Sequence, residues 1–226
     1  AGIAHEIRNP LAAIAQANAL MAEDADTPAQ RQLTQMVNDN VERLKRIVDD
    51  VMEVAPGGPT TTAPVIDLTA LVGAVCSEWA RTARLPLDER SALKVMLPQH
   101  AIGTRFEPDH LRRVLVNLLD NGYRHASGRS GSVQVHLYPD GDDVVTLSVA
   151  SDGDPIPPDV ERYLFEPFFS TRSRGTGLGL YICKELCERY GASIDYRLLS
   201  AHHAARNEFY LAMRREALEA PAPTLH

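Results

Sequence analysis

No apolar run in the 226-residue chain approaches the ~18 consecutive residues that a membrane-spanning helix needs, and nothing after Ala1 resembles a secretory signal. The expectation is a soluble chain. Positive charge is not in excess: 23 Lys+Arg stand against 30 Asp+Glu, a formal charge of −7. Nucleic acid is therefore excluded as a partner, although a local basic patch could still hold phosphate. Cysteine is scarce. Cys76, Cys183 and Cys187 cannot all pair, and none lies in a Cys-x-x-Cys arrangement. Cys183 and Cys187 are one helical turn apart, but a zinc site would need two further ligands of suitable spacing. They read as buried small hydrophobes in a reducing compartment. Aromatics make up only 6% of residues, and internal repeats and low-complexity tracts are absent. What is present, 44% hydrophobic and 23% charged residues, is close to the globular average. That excludes wholesale disorder and suffices for one large domain or two small ones.

Residues 1–55 hold few prolines or glycines and carry apolar residues at helical spacing. Ile3, Ile7, Leu11, Ile14, Leu20 and Met21 form one stripe of a first helix. The run Glu23-Asp24-Ala25-Asp26-Thr27-Pro28 breaks it, with Thr27 as N-cap and Pro28 in the first turn of a second helix. That helix carries Val37, Leu44 and Val51 on one seven-residue series and Leu33, Ile47 and Val54 on another, with Asn40 as a polar member. A repeat of seven predicts a coiled-coil-like seam. Two helices bury too little to fold alone, so either the hairpin dimerises into a four-helix bundle or it packs on the rest of its chain.

Residues 56–64, rich in proline and threonine without apolar periodicity, read as a linker. Beyond it helices are expected at 68–84, 109–126 and 178–190, and strands at 93–97, 102–106, 133–138, 144–149, 193–198 and 208–213. The turn Pro139-Asp140-Gly141-Asp142 marks a hairpin. Elements that do not alternate strictly predict an α+β sandwich over 65–213. Residues 214–226 read as a flexible tail.

Chemistry-bearing residues fall in clusters. In Ala4-His5-Glu6-Ile7-Arg8-Asn9-Pro10-Leu11, His5 lies about 200° around the helix from Ile3, facing away from the apolar stripe. The second histidine of a zinc-protease motif is replaced by Asn9, which removes the metal reading. Glu6 can accept from one imidazole nitrogen and leave the other nucleophilic, and Asn9 can orient a water. Pro10 predicts a local loosening beside His5. In Asn117-Leu118-Leu119-Asp120-Asn121-Gly122-Tyr123-Arg124-His125, two poor helix formers, Asn117 and Asn121, share one face. A hydrated Mg²⁺ carrying nucleotide phosphates would give them a purpose. In Ser151-Asp152-Gly153-Asp154-Pro155-Ile156 a strand enters a turn, where a carboxylate can accept from an exocyclic amine. Arg174-Gly175-Thr176-Gly177-Leu178-Gly179 enters a helix with alternate glycines that open backbone amides to phosphate. It is neither a Rossmann nor a Walker loop. The segment before it, with aromatics, Arg172 and Arg174, suits a mobile lid.

In this order the clusters resemble the H, N, G1, F and G2 boxes of bacterial sensor histidine kinases, over residues 1–213. The His-Glu-Ile-Arg-Asn-Pro-Leu form and Arg189-Tyr190-Gly191-Ala192 are most similar to the type IV pilus and nitrogen-regulatory sensor kinases. The resemblance implies a dimerisation and phosphotransfer hairpin (1–55) followed by a Bergerat-type ATP-binding sandwich. It implies ATP-dependent autophosphorylation of His5 with Glu6 as general base, and transfer to an aspartate of a response regulator. It also implies a phosphatase activity using Asn9. ATP would be held by Asn117, through Mg²⁺, and by Asn121, Arg124 and His125 at the phosphates. Gly153 and Ile156 would lie at the base. Gly175, Gly177 and Gly179 would hinge a lid containing Arg172, Arg174, Thr176 and Leu178 and anchored by Phe165, Phe168 and Phe169. Aligned on Gly153 and Ile156, the family's adenine-contacting aspartate falls on Ser151, and either Ser151 or Asp152 takes its place. The resemblance further implies a homodimer forming the cytoplasmic portion of an inner-membrane-anchored sensor, with sensor and membrane segments N-terminal to Ala1. The rival readings are a non-catalytic dimeric scaffold with a degenerate nucleotide pocket, and an ATPase or serine kinase of the wider Bergerat group.

Overall fold

The computed structural model describes residues 2–54, 63–86, 88–170, 176–200 and 203–218, with side chains in the first two helices from 7 to 49 and at 51. It divides into two compact units, Ala1–Pro56 with Pro167–Leu178, and Gly57–Glu166 with Gly179–His226. The first unit thus takes in a late segment that sequence continuity assigns to the sandwich.

The first unit is built on α1 (Gly2–Glu23) and α2 (Pro28–Val54). The acidic break between them is closed by a reciprocal cap. The Gln30 amide donates to Thr27 Oγ1 at 3.2 Å, and Gln30 Oε1 accepts from the Thr27 amide at 2.9 Å. Two amides at the helix start, otherwise unpaired, are satisfied together. Helix α1 continues through Pro10, whose missing amide does not end it. Leu11 and Val41 are buried between the helices, and the buried Asn18 amide donates to the Thr34 carbonyl at 2.8 Å. An exposed Arg8–Asp49 pair at 2.7 Å adds little. The heptad residues lie mostly outside this contact. Ile7, Ile14, Leu20, Met21, Leu33, Val37, Leu44 and Val51 are 40–66% exposed. Several of them line a groove of about 470 Å³ along Ile14, Ala17, Asn18, Met21, Leu33 and Val37. An apolar face of that length marks an interaction surface.

The second unit is a seven-stranded mixed sheet with helices against one face. Its elements are β1 (Val65–Asp67), α3 (Leu68–Thr82), β2 (Leu93–Met96), β3 (Gly103–Arg105), α4 (Pro108–His125), β4 (Val133–Asp140), β5 (Val144–Ser151), the short α5 (Pro158–Glu161), α6 (Gly179–Arg189), β6 (Ser193–Leu198) and β7 (Asn207–Glu216). The strands run in the order β1-β3-β7-β5-β4-β2, with β6 also on β7, and among the described residues only the β2–β4 pair is parallel. Register explains the layers. Val135, Val149 and Phe209 stand in one row and Leu137, Leu147 and Leu211 in the next, all buried. Because successive side chains alternate, Gln134, His136, Tyr138 and Glu208 fall on the other face. The apolar rows receive Leu111, Val114, Leu115, Leu118 and Leu119 of α4, with Ile182, Cys183, Leu186 and Cys187 of α6 and Val72, Val75 and Cys76 of α3. All three cysteines are free and buried, as their scarcity predicts.

The boundaries need three corrections. Strand β1, only three residues long, is too short to show as periodicity. Ala63 and Pro64, assigned to the linker, dock on the sheet: the Ala63 carbonyl accepts from Arg105 at 2.8 Å and that of Pro64 from the Phe106 amide at 3.2 Å. Residues 214–216, assigned to the tail, belong to β7. Arg215 and Glu216 pair with Thr104 and Gly103, and the Arg105 guanidinium forks the Glu216 carboxylate at 2.6 and 3.1 Å. Residues 55–62 and 219–226 lie outside the described residues.

Candidate functional site

The site grows from α4. Its apolar residues recur three and four apart and commit one side to the sheet, which leaves Asn117 and Asn121 half-buried on the flank. Helix α6 meets that flank at its first residue. A Cβ on Gly179 would lie 3.6 Å from Asn117 Oδ1. One turn further, Cys183 hydrogen-bonds the Asn117 side chain, and its Sγ lies 3.8 Å from the Val114 carbonyl. Burial pushes the Cys183 thiol up to about 12, with Asn117 opposing the shift. That thiol stays protonated and unreactive. The Asn117 amide is thus braced by α6.

The C-terminal end of α4 meets the turn after β5. The backbone at Gly153 passes so close to the last residue of the helix that a Cβ would stand 2.4 Å from the His125 carbonyl oxygen. Only glycine fits. The turn itself hangs on Asn207, the first residue of β7. Its Nδ2 donates to the Gly153 and Asp154 carbonyls, both at 3.0 Å, and its Oδ1 accepts from the Ile156 amide at 3.2 Å and the Tyr196 hydroxyl at 2.8 Å. Asn207 and Tyr196 escape a sequence reading, because the expected strand starts one residue late, at Glu208. The only available signal was an asparagine at the head of an apolar strand.

Ser151 and Asp152, alike in the sequence reading, have different surroundings. Ser151 ends the helix-facing row of β5, paired across the sheet with Val133 and Asn207. A Cβ on Gly122 of α4 would stand 3.8 Å from its Cβ. Ser151 is 6% exposed, and its hydroxyl, which no described residue hydrogen-bonds, is not among the fully sealed polar atoms and keeps access to solvent. The Asp152 carboxylate is engaged elsewhere, accepting from the Ser127 amide at 2.8 Å and the Ser127 hydroxyl at 2.6 Å.

The second unit therefore brings together Asn117, Asn121, His125, Ser151, Gly153, Ile156 and Gly179 around α4. Arg124 and His125 are exposed at its end. Phe165 stands edge-on to Phe209 at 6.3 Å. In the first unit, His5 and Glu6 lie in the opening turns of α1, their side chains outside the described residues, and Asn9 is exposed one turn on. Segment 167–178 turns sharply at Gly177. Its φ is +70°, and a Cβ would stand 2.5 Å from the Phe168 carbonyl carbon. Thr176 Oγ1 accepts from the Leu178 amide at 3.3 Å, and Leu178 is buried while Phe168 is exposed. Phe169 lies at intermediate depth. Arg172, Arg174 and Gly175 lie outside the described residues. No group of three or more His, Cys, Asp or Glu among the described residues could hold a metal ion. A single amide oxygen from Asn117 does fit Mg²⁺, which keeps most of its ligands as water and phosphate. No helix among the described residues is long and apolar enough to cross a membrane.

Two family models match the chain, the second running through segment 167–178 that compactness groups with the hairpin. Residues 1–58 match the His Kinase A (phospho-acceptor) domain, and residues 106–215 match the histidine kinase-, DNA gyrase B-, and HSP90-like ATPase family. The chain is 41% identical over 202 residues to the sensor protein kinase PilS of Pseudomonas aeruginosa, covering 87% of this chain and 37% of that one. It is 33% identical over 211 residues to the sensor histidine kinase ZraS of Salmonella typhi, covering 90% and 43%. The chain thus spans about two fifths of the length of these relatives. Its fold is similar to that of full-length ShkA in complex with AMPPNP, with a TM-score of 0.66 and 20% identity over 96% of this chain and 46% of that one. It is also similar to the mycobacterial sensor histidine kinase MprB, with a TM-score of 0.58 and 21% identity over 70% and 100%. A phospho-acceptor helical hairpin, followed by an ATPase sandwich and matched by relatives of the same order, makes this chain a member of the sensor histidine kinase family.

Proposed function

We propose that this chain is the kinase core of a two-component sensor, transferring the γ-phosphoryl group of ATP to His5 and then to an aspartate of a response regulator. Residues 1–55 serve dimerisation and phosphotransfer, and the sandwich from 65 to 216 binds the nucleotide. The observation that carries this reading is α4, which sets Asn117 against the start of α6, holds Asn121 half-buried one turn on, and meets the Gly153 turn at His125. Two amides, a hydroxyl and close-approach glycines suit a polyanionic ligand with a flat base better than any structural need of a helix.

Positioning and charge neutralisation carry most of such a transfer. Asn121, Arg124 and His125 face the phosphates, and Ser151, Gly153 and Ile156 the base. Arg172, Arg174, Gly175, Thr176, Gly177, Leu178 and Gly179 act as the phosphate lid, which Phe169 helps to anchor. Asn117 offers its amide oxygen to Mg²⁺, which, when bound, supplies neutralisation of charge on the phosphates. A lone pair of the His5 imidazole attacks the γ-phosphorus. The P–O bond to the β-phosphate breaks with its electrons on ADP, and the imidazole proton passes to Glu6. Asn9 orients the water of a phosphatase reaction. The 41% identity to PilS supports placement in the pilus-regulating subgroup, as the cytoplasmic part of an inner-membrane sensor.

Incubation of the chain with γ-labelled ATP and Mg²⁺ is expected to give a protein-bound label that is lost in acid and stable in alkali. An acid-stable label would point instead to a hydroxyl acceptor. A homodimer is supported by the uncovered apolar face of α1 and α2. The double variant Leu33→Glu/Val37→Glu places charge on that face and is expected to sediment as a monomer at concentrations where the parent is a dimer. Equal sedimentation would remove the dimer from that face.

A further inference from the structure

We propose that the base-reading group of this site is the Ser151 hydroxyl, and that the chain consequently takes guanine as well as adenine nucleoside triphosphates as phosphoryl donors. The inference rests on the nucleotide site proposed above and names its substrate class. Three observations converge on it. Ser151 closes the helix-facing row of β5 against Gly122, almost fully buried, with a hydroxyl that no described residue engages. A polar group in that state is kept for something outside the fold or for water.

The neighbours that could take over the reading are occupied. Asn207, paired with Ser151 across the sheet, spends both amide hydrogens on the Gly153 and Asp154 carbonyls and both oxygen lone pairs on Ile156 and Tyr196. That is the whole capacity of an asparagine. Both oxygens of the Asp152 carboxylate are held by Ser127.

Adenine presents an amine at position 6 and guanine a carbonyl oxygen. An ionised carboxylate can only accept, so at this place it would favour the amine and repel the carbonyl. A serine hydroxyl donates or accepts by rotating, so it answers either base. With GTP the bookkeeping is the same as with ATP. The N–P bond forms at His5, the bond from the γ-phosphorus to the β-phosphate oxygen breaks, its electrons leave on GDP, and the imidazole proton goes to Glu6.

The test compares ATP and GTP as γ-labelled donors to the purified chain with Mg²⁺, alongside competition of each unlabelled nucleotide against a fluorescent ATP analogue. The parent is expected to discriminate between them by less than about 20-fold in both kcat/KM and affinity. Ser151→Asp should raise the preference for ATP by more than tenfold, and Ser151→Ala should weaken both nucleotides to a similar extent. A parent that prefers ATP by more than that limit overturns the proposal. So does a folded Ser151→Asp chain with an unchanged ratio, or Ser151→Ala binding both nucleotides as the parent does. The competition arm reads selectivity without catalysis. Relaxed binding with no phosphohistidine from either donor would sink the kinase reading and the donor claim while upholding Ser151 as the base-reading group, whereas no binding of either nucleotide sinks everything proposed here.

Discussion

Replacing His5 with glutamine is expected to lower phosphate incorporation from labelled ATP by at least about 10³-fold, to background, while nucleotide binding stays within about twofold of the parent. The glutamine amide has no lone pair of comparable nucleophilicity, and nothing else in the opening turns of α1 replaces an imidazole. Glutamine is a good helix former, so α1 and its pairing with α2 should survive. Position 5 is turned away from the apolar stripe at ~100° per residue, so dimerisation should survive as well. Asn117, Asn121, Ser151, Gly153 and Ile156, proposed above to hold the nucleotide, belong to the other compact unit. Autoradiography and isothermal titration on the same preparation separate the two effects. Labelling of the variant at the parent's rate would remove His5 as acceptor.

Substituting Asn207 by alanine is expected to cost the sandwich about 2–4 kcal/mol, because one truncation strands the carbonyls of Gly153 and Asp154, the Ile156 amide and the Tyr196 hydroxyl together. The groups nearest solvent recover water, which keeps the loss below the sum of four bonds. For a domain of this size the change corresponds to a fall in Tm of roughly 5–12 °C. The effect on ligand binding should be larger than stability alone predicts. The turn that Asn207 suspends is clamped against the His125 carbonyl, and its release would blur the base-binding side of the site, weakening ATP by more than about tenfold. Asn207→Asp gives a sharper variant, since it keeps the acceptor toward Tyr196 and Ile156 but sets a negative charge against two carbonyls. Thermal unfolding and nucleotide titration check both variants, and an unchanged melting curve would show that the turn supports itself.

The elements most legible in the sequence are those whose apolar period survives into burial. Strand β4 alternates as one-sided packing requires, β5 alternates in sequence although Thr146, Ser148 and Ala150 of its other face are buried as well, and α4 carries its leucines at spacings that predict the buried side. The Thr27-Pro28-x-Gln30 start of α2 is equally local. The contact inside the hairpin was less legible. The heptad series marks a seam, but within one chain the buried pair is Leu11 with Val41, and the series lies outside, because an apolar residue does not declare which neighbour covers it. For the proposed site, motif order pointed to α4, the turn and the glycine segment. It could not separate Ser151 from Asp152. That difference depends on where the Ser127 hydroxyl falls, 25 positions away. Asn207 was invisible for the same reason, since its four partners are supplied by chain 11 to 54 residues distant.

Strand β7 bonds to β5 along one edge and to β6 and then β3 along the other, which has a consequence for synthesis. Until Asn207–Glu216 has left the ribosome, three earlier strands wait with open edges, and the side chain of Thr104 has yet to meet the Arg214 carbonyl 110 positions later. A nascent chain halted near residue 200 offers those edges to any other strand. The sheet closes only when its last ten residues arrive.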